Sequence, residues 1–492
     1  MPVFWYYILI LIPVATGVVL LISGIKNHRT LERISILSVF LTSAVSCLLL
    51  VKGIKGPYTA VSFSERVQFV FYLDGLGRFF LGIISALWPL TAIYACSYME
   101  REDHLNLYWG LFCIAYGLSC GLALAGNLFT MYVFFELMIL IAVVSVLRPL
   151  EGKTANATKS LFVYSTARII FCLVTVVFML VNGEGKQFVP GGILSFGLQN
   201  QNIAYYFYLI GFIGFGILTI TFSVHAWFPK VTVVPVPITV LLQSVVVVKA
   251  GAFAVMRLSY YTFSPKMLTG SWGQIVAMML AAITILFGAS MAVKETNWKR
   301  RMVYSSVANL SYILFATTLL TENGLMSGLL HMAAHGCIKM LVFFCIGAVY
   351  HRTGRQYVCE LDGIGNKMPV TFACFTLAAC SLTGVPPLNA FVSKWYILTA
   401  AVDSGTPIAY AGAGLLLTAT LLACVYMFTV ACRAWFPDRD ANLEYLGQVR
   451  EADWRMILPM IVLATGIVVF GIWAQPILNA ATAVATETGG IL

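Results

Sequence analysis

Three ionisable residues lie four positions apart in an apolar stretch of the chain. The stretch reads LLHMAAHGCIKMLVFF, residues 329–344, and contains His331, His335 and Lys339. Residues at i and i+4 lie on one side of an α-helix and about 6 Å apart along its axis, so the three form a stripe of about 12 Å. An unperturbed histidine titrates near neutral pH. The stripe is therefore a candidate route for protons.

Four further ionisable residues lie inside apolar segments: Glu136, Arg168, Lys249 and Lys394. All except Lys394 lie, like Lys339, about 10–12 residues from the predicted cytoplasmic end of their segments, roughly 15–18 Å deep. A charge there costs about 2.5–3.5 kcal/mol on insertion scales, and such residues typically mark ion pathways. The alternative is that they only pair with one another to hold helices together. A desolvated lysine gives up its proton more readily, which favours the pathway.

A second signal is a predicted helix break just before Lys394. The stretch SLTGVPPLNAFVSKW places Gly384, Pro386 and Pro387 inside an apolar segment of about 34 residues, which is too long for one straight crossing. Proline kinks helices, and broken helices in transporters present backbone dipoles to ions near the membrane midplane. Residues 225–239 have a comparable proline spacing. Two interruptions five spans apart hint at an internal repeat.

The composition indicates which elements position these residues. The chain has 492 residues, of which 60% are hydrophobic and 10% charged, whereas a soluble protein has about 25% charged residues. A bilayer crossing needs about 20 apolar residues. We predict fourteen spans, near 3–24, 33–53, 71–98, 106–126, 127–148, 158–182, 203–224, 238–256, 271–293, 302–321, 324–350, 369–402, 407–432 and 456–479.

The basic residues indicate the orientation of these spans. Nineteen of the 30 lysine and arginine residues fall in loops after odd-numbered spans and six in loops after even-numbered ones, among them Arg257. The positive-inside rule then places the odd loops in the cytoplasm and both termini outside. This distribution explains the net charge of +10 without a nucleic-acid partner. Asp74 and Arg78, near an end of span 3, are interpreted as an anchor or packing pair at the interface.

The twelve cysteines are scattered and form no CxxC pair, so neither a disulfide framework nor an iron–sulfur site is predicted. A haem or metal site on His331 and His335 is disfavoured, because Lys339 on the same stripe repels a cation and no third ligand is evident. We therefore predict no cofactor and no metal.

Seven stretches, in order along the chain, resemble a known family. They are DGLGRFF (74–80), YVFFELM (132–138), HAWFPK (225–230), VVVVKAGAFAVMR (245–257), NWKRRMVYSSVANLSY (297–312), HMAAHGCIKMLVFFCIGAVYHRTG (331–354) and GVPPLNAFVSKW (384–395). They are similar to motifs of the antiporter-like, proton-translocating membrane subunits shared by respiratory complex I (NADH:quinone oxidoreductase), energy-converting membrane-bound hydrogenases and Mrp-type cation/proton antiporters. The resemblance covers roughly spans 3 to 13.

The resemblance implies a fold and a division of the chain. The expected fold is an all-α polytopic membrane protein of about fourteen transmembrane helices, with two inverted five-helix repeats, spans 4–8 and 9–13, and broken helices 7 and 12. The expected units are three N-terminal helices (1–105), a first five-helix half-channel (106–265), a second (266–432), and a charged loop with the last helix (433–492). The chain stops soon after span 14, so it resembles the shorter, middle-type members of the family, such as those of Mrp antiporters.

The resemblance also implies the site, the partners and the location. The implied proton pathway comprises Glu136, Lys249, His331, His335, Lys339 and Lys394, with His225 as an associated residue and Gly384, Pro386 and Pro387 at the helix break. Implied partners are homologous antiporter-like subunits, small membrane subunits and the lipid bilayer of the cell (inner) membrane. The chain itself would be a non-catalytic subunit, with electron transfer in other subunits.

The sequence departs from the family pattern in its first half. Where the family has its central span 7 lysine, this chain has Leu218, and Lys230 and Thr232 replace an aspartate and a histidine after that span. Arg168 occupies span 6 at the depth of Glu136, and we expect it to supply the missing counter-charge. Because arginine does not release its proton, the favoured route is the stretch from Lys249 to Lys394, which is called the second half below.

Four functions follow from these patterns. The leading one is proton translocation within a redox-driven pump or an Mrp-type antiporter. Sodium/proton antiport within such a complex is the first alternative, and a structural subunit whose channel has degenerated, as Leu218 suggests, is the second. A self-contained transporter for sodium or a small solute is the third, and the shortage of carboxylates inside the spans argues against it, because hard cations prefer oxygen ligands.

Overall fold

The structure is a computed structural model that describes residues 3–25, 27–53, 56–101, 104–147, 155–183, 187–194, 201–216, 235–240, 247–437 and 444–489. Most of these residues are helical. The helices are α1 Phe4–Ile22, α2 His28–Lys52, α3 Gly75–Tyr98, α4 Leu105–Ala123, α5 Leu128–Leu147, α6 Ala155–Asn182, α7 Gln201–Gly216, α8 Val236–Val240, α9 Val247–Arg257, α10 Pro265–Leu268, α11 Trp272–Lys294, α12 Trp298–Thr318, α13 Glu322–Thr353, α14 Pro369–Thr383, α15 Asn389–Asp403, α16 Pro407–Trp435, α17 Trp454–Ile472 and α18 Gln475–Gly489.

The helices fit a protein that crosses a membrane many times. Nine helices in the described ranges are long and apolar enough to span a bilayer. This confirms the predicted helical, multi-pass membrane fold. The total of fourteen spans, the two inverted repeats and the division into four units stay predictions. The predicted break in helix 7 falls on residues 217–234, outside the described residues.

Span 12 is broken where its sequence predicts. Helix α14 ends at Thr383 and α15 begins at Asn389. Gly384 caps α14 with a φ of 84°, a left-handed conformation that glycine adopts without steric cost. The Ser381 hydroxyl donates a hydrogen bond of 2.7 Å to Oδ1 of Asn389, which joins the two half-helices across the break.

Two features differ from the predicted all-α arrangement. An antiparallel hairpin of β1 (Tyr58–Ser62) and β2 (Gln68–Phe71) precedes α3, because β-branched and aromatic residues favour extended backbone there. The predicted last span, 456–479, is divided between α17 and α18. Pro476 is the physical reason, since proline has no N–H to donate to a continuing helix but is tolerated in a first turn.

Helix α13 lies at the centre of the bundle. Its 32 residues span about 48 Å, and it packs against α3, α12, α14, α15, α17 and α18. Most of its side chains are buried, whereas α1 and α16 each have an exposed apolar face. The surroundings of α13 therefore come from protein on nearly every side, and this positions its ionisable residues away from lipid.

Candidate functional site

The predicted stripe on α13 faces the bundle interior. His331, His335 and Lys339 are each no more than 1% exposed. The two imidazole rings lie nearly parallel, with planes 18° apart and centroids 6.1 Å apart. The stripe is thus shielded from lipid, as its charge requires.

The ammonium group of Lys339 is bound by neutral oxygens of α12. Its Nζ donates to the Ser305 hydroxyl at 2.7 Å and to the Met302 carbonyl at 3.1 Å. Ser305 in turn lies 2.7 Å from the hydroxyl of Tyr426 on α16, and Nη1 of Arg301 donates to the Tyr426 carbonyl at 3.3 Å. These contacts link the stripe to the first turn of α12 through polar groups.

Lys394 lies against the break in span 12. Its Nζ donates to the Leu382 carbonyl at 2.6 Å and to the Thr420 hydroxyl at 3.3 Å, and it sits 5.6 Å from the centre of the Tyr312 ring. The Leu382 carbonyl belongs to the last turn of α14, where helix carbonyls carry partial negative charge. A Cβ added at Gly384 would lie 3.5 Å from Cδ of the lysine. The break therefore supplies both the space and the oxygen for this ammonium group.

A serine connects the α13 stripe to α15. Nδ1 of His331 lies 2.9 Å from the hydroxyl of Ser393, which immediately precedes Lys394 in the chain. Nε2 of His331 and both ring nitrogens of His335 have no hydrogen-bond partner among the described residues. Because imidazole nitrogens donate or accept depending on the tautomer, these atoms are available for proton transfer.

Lys249 reaches α13 from α9. It is fully buried, and a Cβ added at Gly336 would lie 3.3 Å from its Cε and 3.8 Å from its Nζ. Gly336 directly follows His335. The glycine therefore lets the Lys249 side chain approach the stripe, and the structure brings all five predicted residues of the second half together.

The first half contains a different arrangement. Nη1 and Nη2 of Arg168 donate to Oε1 and Oε2 of Glu136 at 2.8 and 2.5 Å. The arginine side chain is 2% exposed and that of the glutamate 17%, and the guanidinium lies 5.2 Å from the centre of the Phe135 ring. This fork-to-fork pair fixes both groups. The structure makes the contact expected from the depth of the two residues, and its role in ion movement stays a prediction.

A second buried ion pair is not predicted from the sequence. Both Nη atoms of Arg257 donate to the Asp74 carboxylate, with Nη2 at 2.6 Å from Oδ1. Arg257 is fully buried among the rings of Phe188, Phe253 and Tyr261.

This pair corrects two expectations. Arg257 is predicted in a loop after span 8, and Asp74 is predicted to pair with Arg78 at the interface. Local sequence does not indicate this pair, because the contact is tertiary and 183 positions separate Asp74 from Arg257. The sequence does contain one signal that Arg257 belongs to a helix and not to a loop. The apolar stretch VVVVKAGAFAVMR continues without interruption up to Arg257.

Several predicted residues of the first half lie outside the described residues. These are Leu218, His225, Lys230 and Thr232. The pathway role proposed for His225 and the consequence of the leucine at 218 therefore stay predictions.

Comparison with known proteins gives the family. The family described as "NADH:quinone oxidoreductase/Mrp antiporter, TM" matches residues 125–423, more than half of the chain. The chain belongs to this family. The matched residues include both buried clusters described above, the Glu136–Arg168 pair and the α13 stripe.

Individual members of the antiporter family extend the match over most of the chain. NADH-quinone oxidoreductase subunit N of Desulforudis audaxviator is 29% identical over 412 residues, which are 81% of each chain. The Na(+)/H(+) antiporter subunit A1 of Staphylococcus haemolyticus is 25% identical over 434 residues, which are 83% of this chain and 53% of that relative.

Solved structures share the fold. A chain of the archaeal membrane-bound sulfane sulfur reductase superposes with a TM-score of 0.84 at 22% identity, covering 98% of this chain and 97% of its own. A chain of the Mrp complex from Dietzia sp. DQ12-45-1b gives a TM-score of 0.84 at 18% identity, covering 99% and 98%. The protein is thus an antiporter-like membrane subunit of the kind found in complex I, Mrp antiporters and related complexes.

Proposed function

We propose that this subunit moves protons across the membrane within a larger complex, through the second half of its chain. The observation that carries the proposal is the continuity of buried ionisable groups along α13. Lys249 approaches the stripe at Gly336, His331 is joined to Ser393 beside Lys394, and the stripe ends at Lys339, which reaches Ser305. Several such groups at membrane depth favour an ion route over a packing role.

The chemistry of this route follows from the partners of each lysine. The ammonium groups of Lys339 and Lys394 donate to hydroxyl and carbonyl oxygens. Neutral partners leave no uncompensated carboxylate behind when a lysine loses its proton, and neutral amines form hydrogen bonds too. The two histidines can pass protons between the lysines, since one imidazole nitrogen accepts a proton while the other releases one.

The first half has an electrostatic role in this proposal. Arg168 does not release its proton, so its pair with Glu136 carries fixed charge. A change in a neighbouring subunit that strains this pair would change the field at Lys249 without moving a proton through the first half. This arrangement also supports the second candidate, a subunit whose first channel has degenerated.

The coupling ion is proposed to be the proton rather than sodium. One relative is named as a Na(+)/H(+) antiporter subunit, so sodium is the alternative. Hard cations prefer several oxygen ligands, carboxylates above all. The two carboxylates predicted within spans, Asp74 and Glu136, are each held by an arginine, which favours protons.

The assemblies to which the structural neighbours belong support a proposal for the partners of this chain. The structural neighbours are chains of a sulfane sulfur reductase, an Mrp complex and a complex I. We propose that this chain likewise assembles with other antiporter-like and small membrane subunits in the inner membrane, with both termini outside. Redox chemistry, where the complex has it, would occur in other subunits.

The test uses the assembled complex in sealed membrane vesicles. The Lys394→Met variant removes the charge and keeps the approximate length, and Leu417→Ala on the exposed face of α16 is the control. Proton movement, followed with a pH-sensitive dye, should fall by about 10²-fold or more in the Lys394→Met complex and stay unchanged in the control. Equal rates in both variants contradict the proposal, and a rate that depends on sodium supports the alternative ion.

A further inference from the structure

A cavity of about 540 Å³ lies between α3, α13, α15 and α18. Most of its lining is apolar, and its polar side chains fall into two groups. Arg78 and Glu487 are exposed side chains beside the first turn of α3, where a Cβ added at Gly75 would lie 2.5 Å from Oε2 of Glu487. Asn389 and Ser393 line the cavity just after the helix break in span 12.

The cavity therefore joins a charged, exposed site to the buried stripe. Ser393 is 1% exposed and lines the cavity, and its hydroxyl lies 2.9 Å from Nδ1 of His331. Arg78 and Glu487 lie near the membrane face at which α13 begins, because Thr482 of α18 contacts Met326 in the first turns of α13.

We propose that this cavity is the aqueous route by which protons pass between His331 and the membrane face at which α13 begins, with Glu487 as the proton-exchanging carboxylate at its mouth. The inference rests on the proposed function and names one of its two access routes. Ser393 donates its hydrogen to Nδ1 of His331 while accepting another from a chain of water molecules, and that chain receives a proton from the Glu487 carboxyl group at the mouth. The serine and the water molecules therefore keep their proton counts, and the net change is one proton moved from Glu487 to His331. The reverse sequence releases a proton from the imidazole.

The mainly apolar lining suits a route that must not conduct continuously. Hydrophobic constrictions in channels open and close by wetting and dewetting. Polar groups at both ends, Glu487 with Arg78 and Asn389 with Ser393, anchor water at the mouth and at the inner end. A lipid acyl chain is the competing occupant of such a cavity, and the test distinguishes it from water.

The chain contains its own reporter for this test. Cys337 is half-buried and lines the cavity, two residues from both His335 and Lys339. A thiol reacts as the thiolate, which forms in water and not in an apolar environment. A charged, impermeant methanethiosulfonate therefore modifies this cysteine only where water reaches it.

The experiment uses the whole complex in right-side-out and in inverted vesicles. Each preparation is treated with the charged reagent or with N-ethylmaleimide, and the adduct on Cys337 is measured by mass spectrometry, with Cys337→Ala as the blank. The expected result is modification by the charged reagent from the face at which α13 begins only. Resistance to the charged reagent from both faces, or reaction from the opposite face only, overturns the route, and resistance to both reagents identifies an apolar occupant.

A functional arm separates this inference from the proposed function. Ile477→Trp fills the cavity from α18, away from the stripe, and Leu417→Trp adds the same side chain to the exposed face of α16. Proton movement should fall about tenfold or more, a barrier of about 1.4 kcal/mol, in the first variant and stay unchanged in the second. Normal proton movement in the Ile477→Trp complex, with movement abolished by Lys394→Met, overturns the route and leaves the proposed function standing.

Discussion

The two halves of this subunit treat buried charge in different ways. In the first half, Glu136 is held in a bidentate pair by Arg168. In the second half, Lys339 and Lys394 donate to backbone carbonyls and hydroxyl groups. An ion pair with arginine stabilises one protonation state, whereas neutral oxygens accept bonds from either form of the lysine. A buried charge therefore indicates proton transfer only when its partners permit both protonation states.

The largest effect should come from Lys339. Lys339→Ala removes the cation between His335 and the polar groups of α12, and proton movement should fall by about 10²-fold or more. Arg168→Leu should reduce it far less, since that pair holds no mobile proton. The measurement is the initial rate of pH change in vesicles that contain the complex. A larger loss of proton movement in Arg168→Leu than in Lys339→Ala would contradict the assignment of the proton route to the second half.

The Asp74–Arg257 pair should dominate stability. Arg257→Leu leaves the Asp74 carboxylate, whose side chain is 11% exposed, without its partner, and the loss of unfolding free energy should be about 3–5 kcal/mol. Thermal unfolding of the purified complex measures this loss. The double variant Asp74→Asn, Arg257→Leu should recover part of it, because no buried charge is then left unpaired. Equal losses in the single and double variants would mean that packing around the guanidinium is the cause.

Arg168→Leu should have a smaller effect on stability. Glu136 has a 17% exposed side chain, so water replaces part of the lost interaction, and the loss should lie near the low end of about 3–5 kcal/mol. Glu136→Gln together with Arg168→Leu is the matched control in the same unfolding assay. If Arg168→Leu lost more unfolding free energy than Arg257→Leu, the Glu136–Arg168 pair would stabilise the protein more than the partial exposure of Glu136 predicts.

The smallest effect should come from Ser393. Ser393→Ala removes one hydrogen bond to His331 and should cost about 1 kcal/mol, or roughly fivefold in rate, if the bond forms in the rate-limiting step. Thr420→Val, which removes the longer of the two bonds to Lys394, is the comparison variant. Proton movement at several pH values measures both. A Ser393 effect no greater than that of Thr420 would remove the serine from the route.

Local features of this site could be predicted from the sequence. The four-residue spacing of His331, His335 and Lys339 fixes one helix face, and Gly384 with its two prolines fixes a break. The depth of Glu136 and Arg168 was also sufficient to pair them, because neighbouring spans place residues of equal depth side by side.

Features that depend on distant chain segments could not be predicted. The Asp74–Arg257 contact, the cavity beside α18 and the approach of Lys249 to Gly336 each require tertiary packing between separate helices. Small hydroxyl partners such as Ser305 and Ser393 carry no recognisable spacing, since serine is common in membrane helices. The hairpin β1–β2 is short and lies between the predicted spans 33–53 and 71–98, in a segment that the sequence predicts only as a loop.

The bond from Lys394 to the Leu382 carbonyl has a consequence for how the site tolerates mutation. The acceptor is a main-chain oxygen, which every amino acid at position 382 would still provide. No substitution at that position deletes the acceptor, and only a change in backbone path can move it. Gly384, with its positive φ, controls that path two residues away. Sequence variation at Leu382 should therefore keep the acceptor oxygen, whereas variation at Gly384 should displace it.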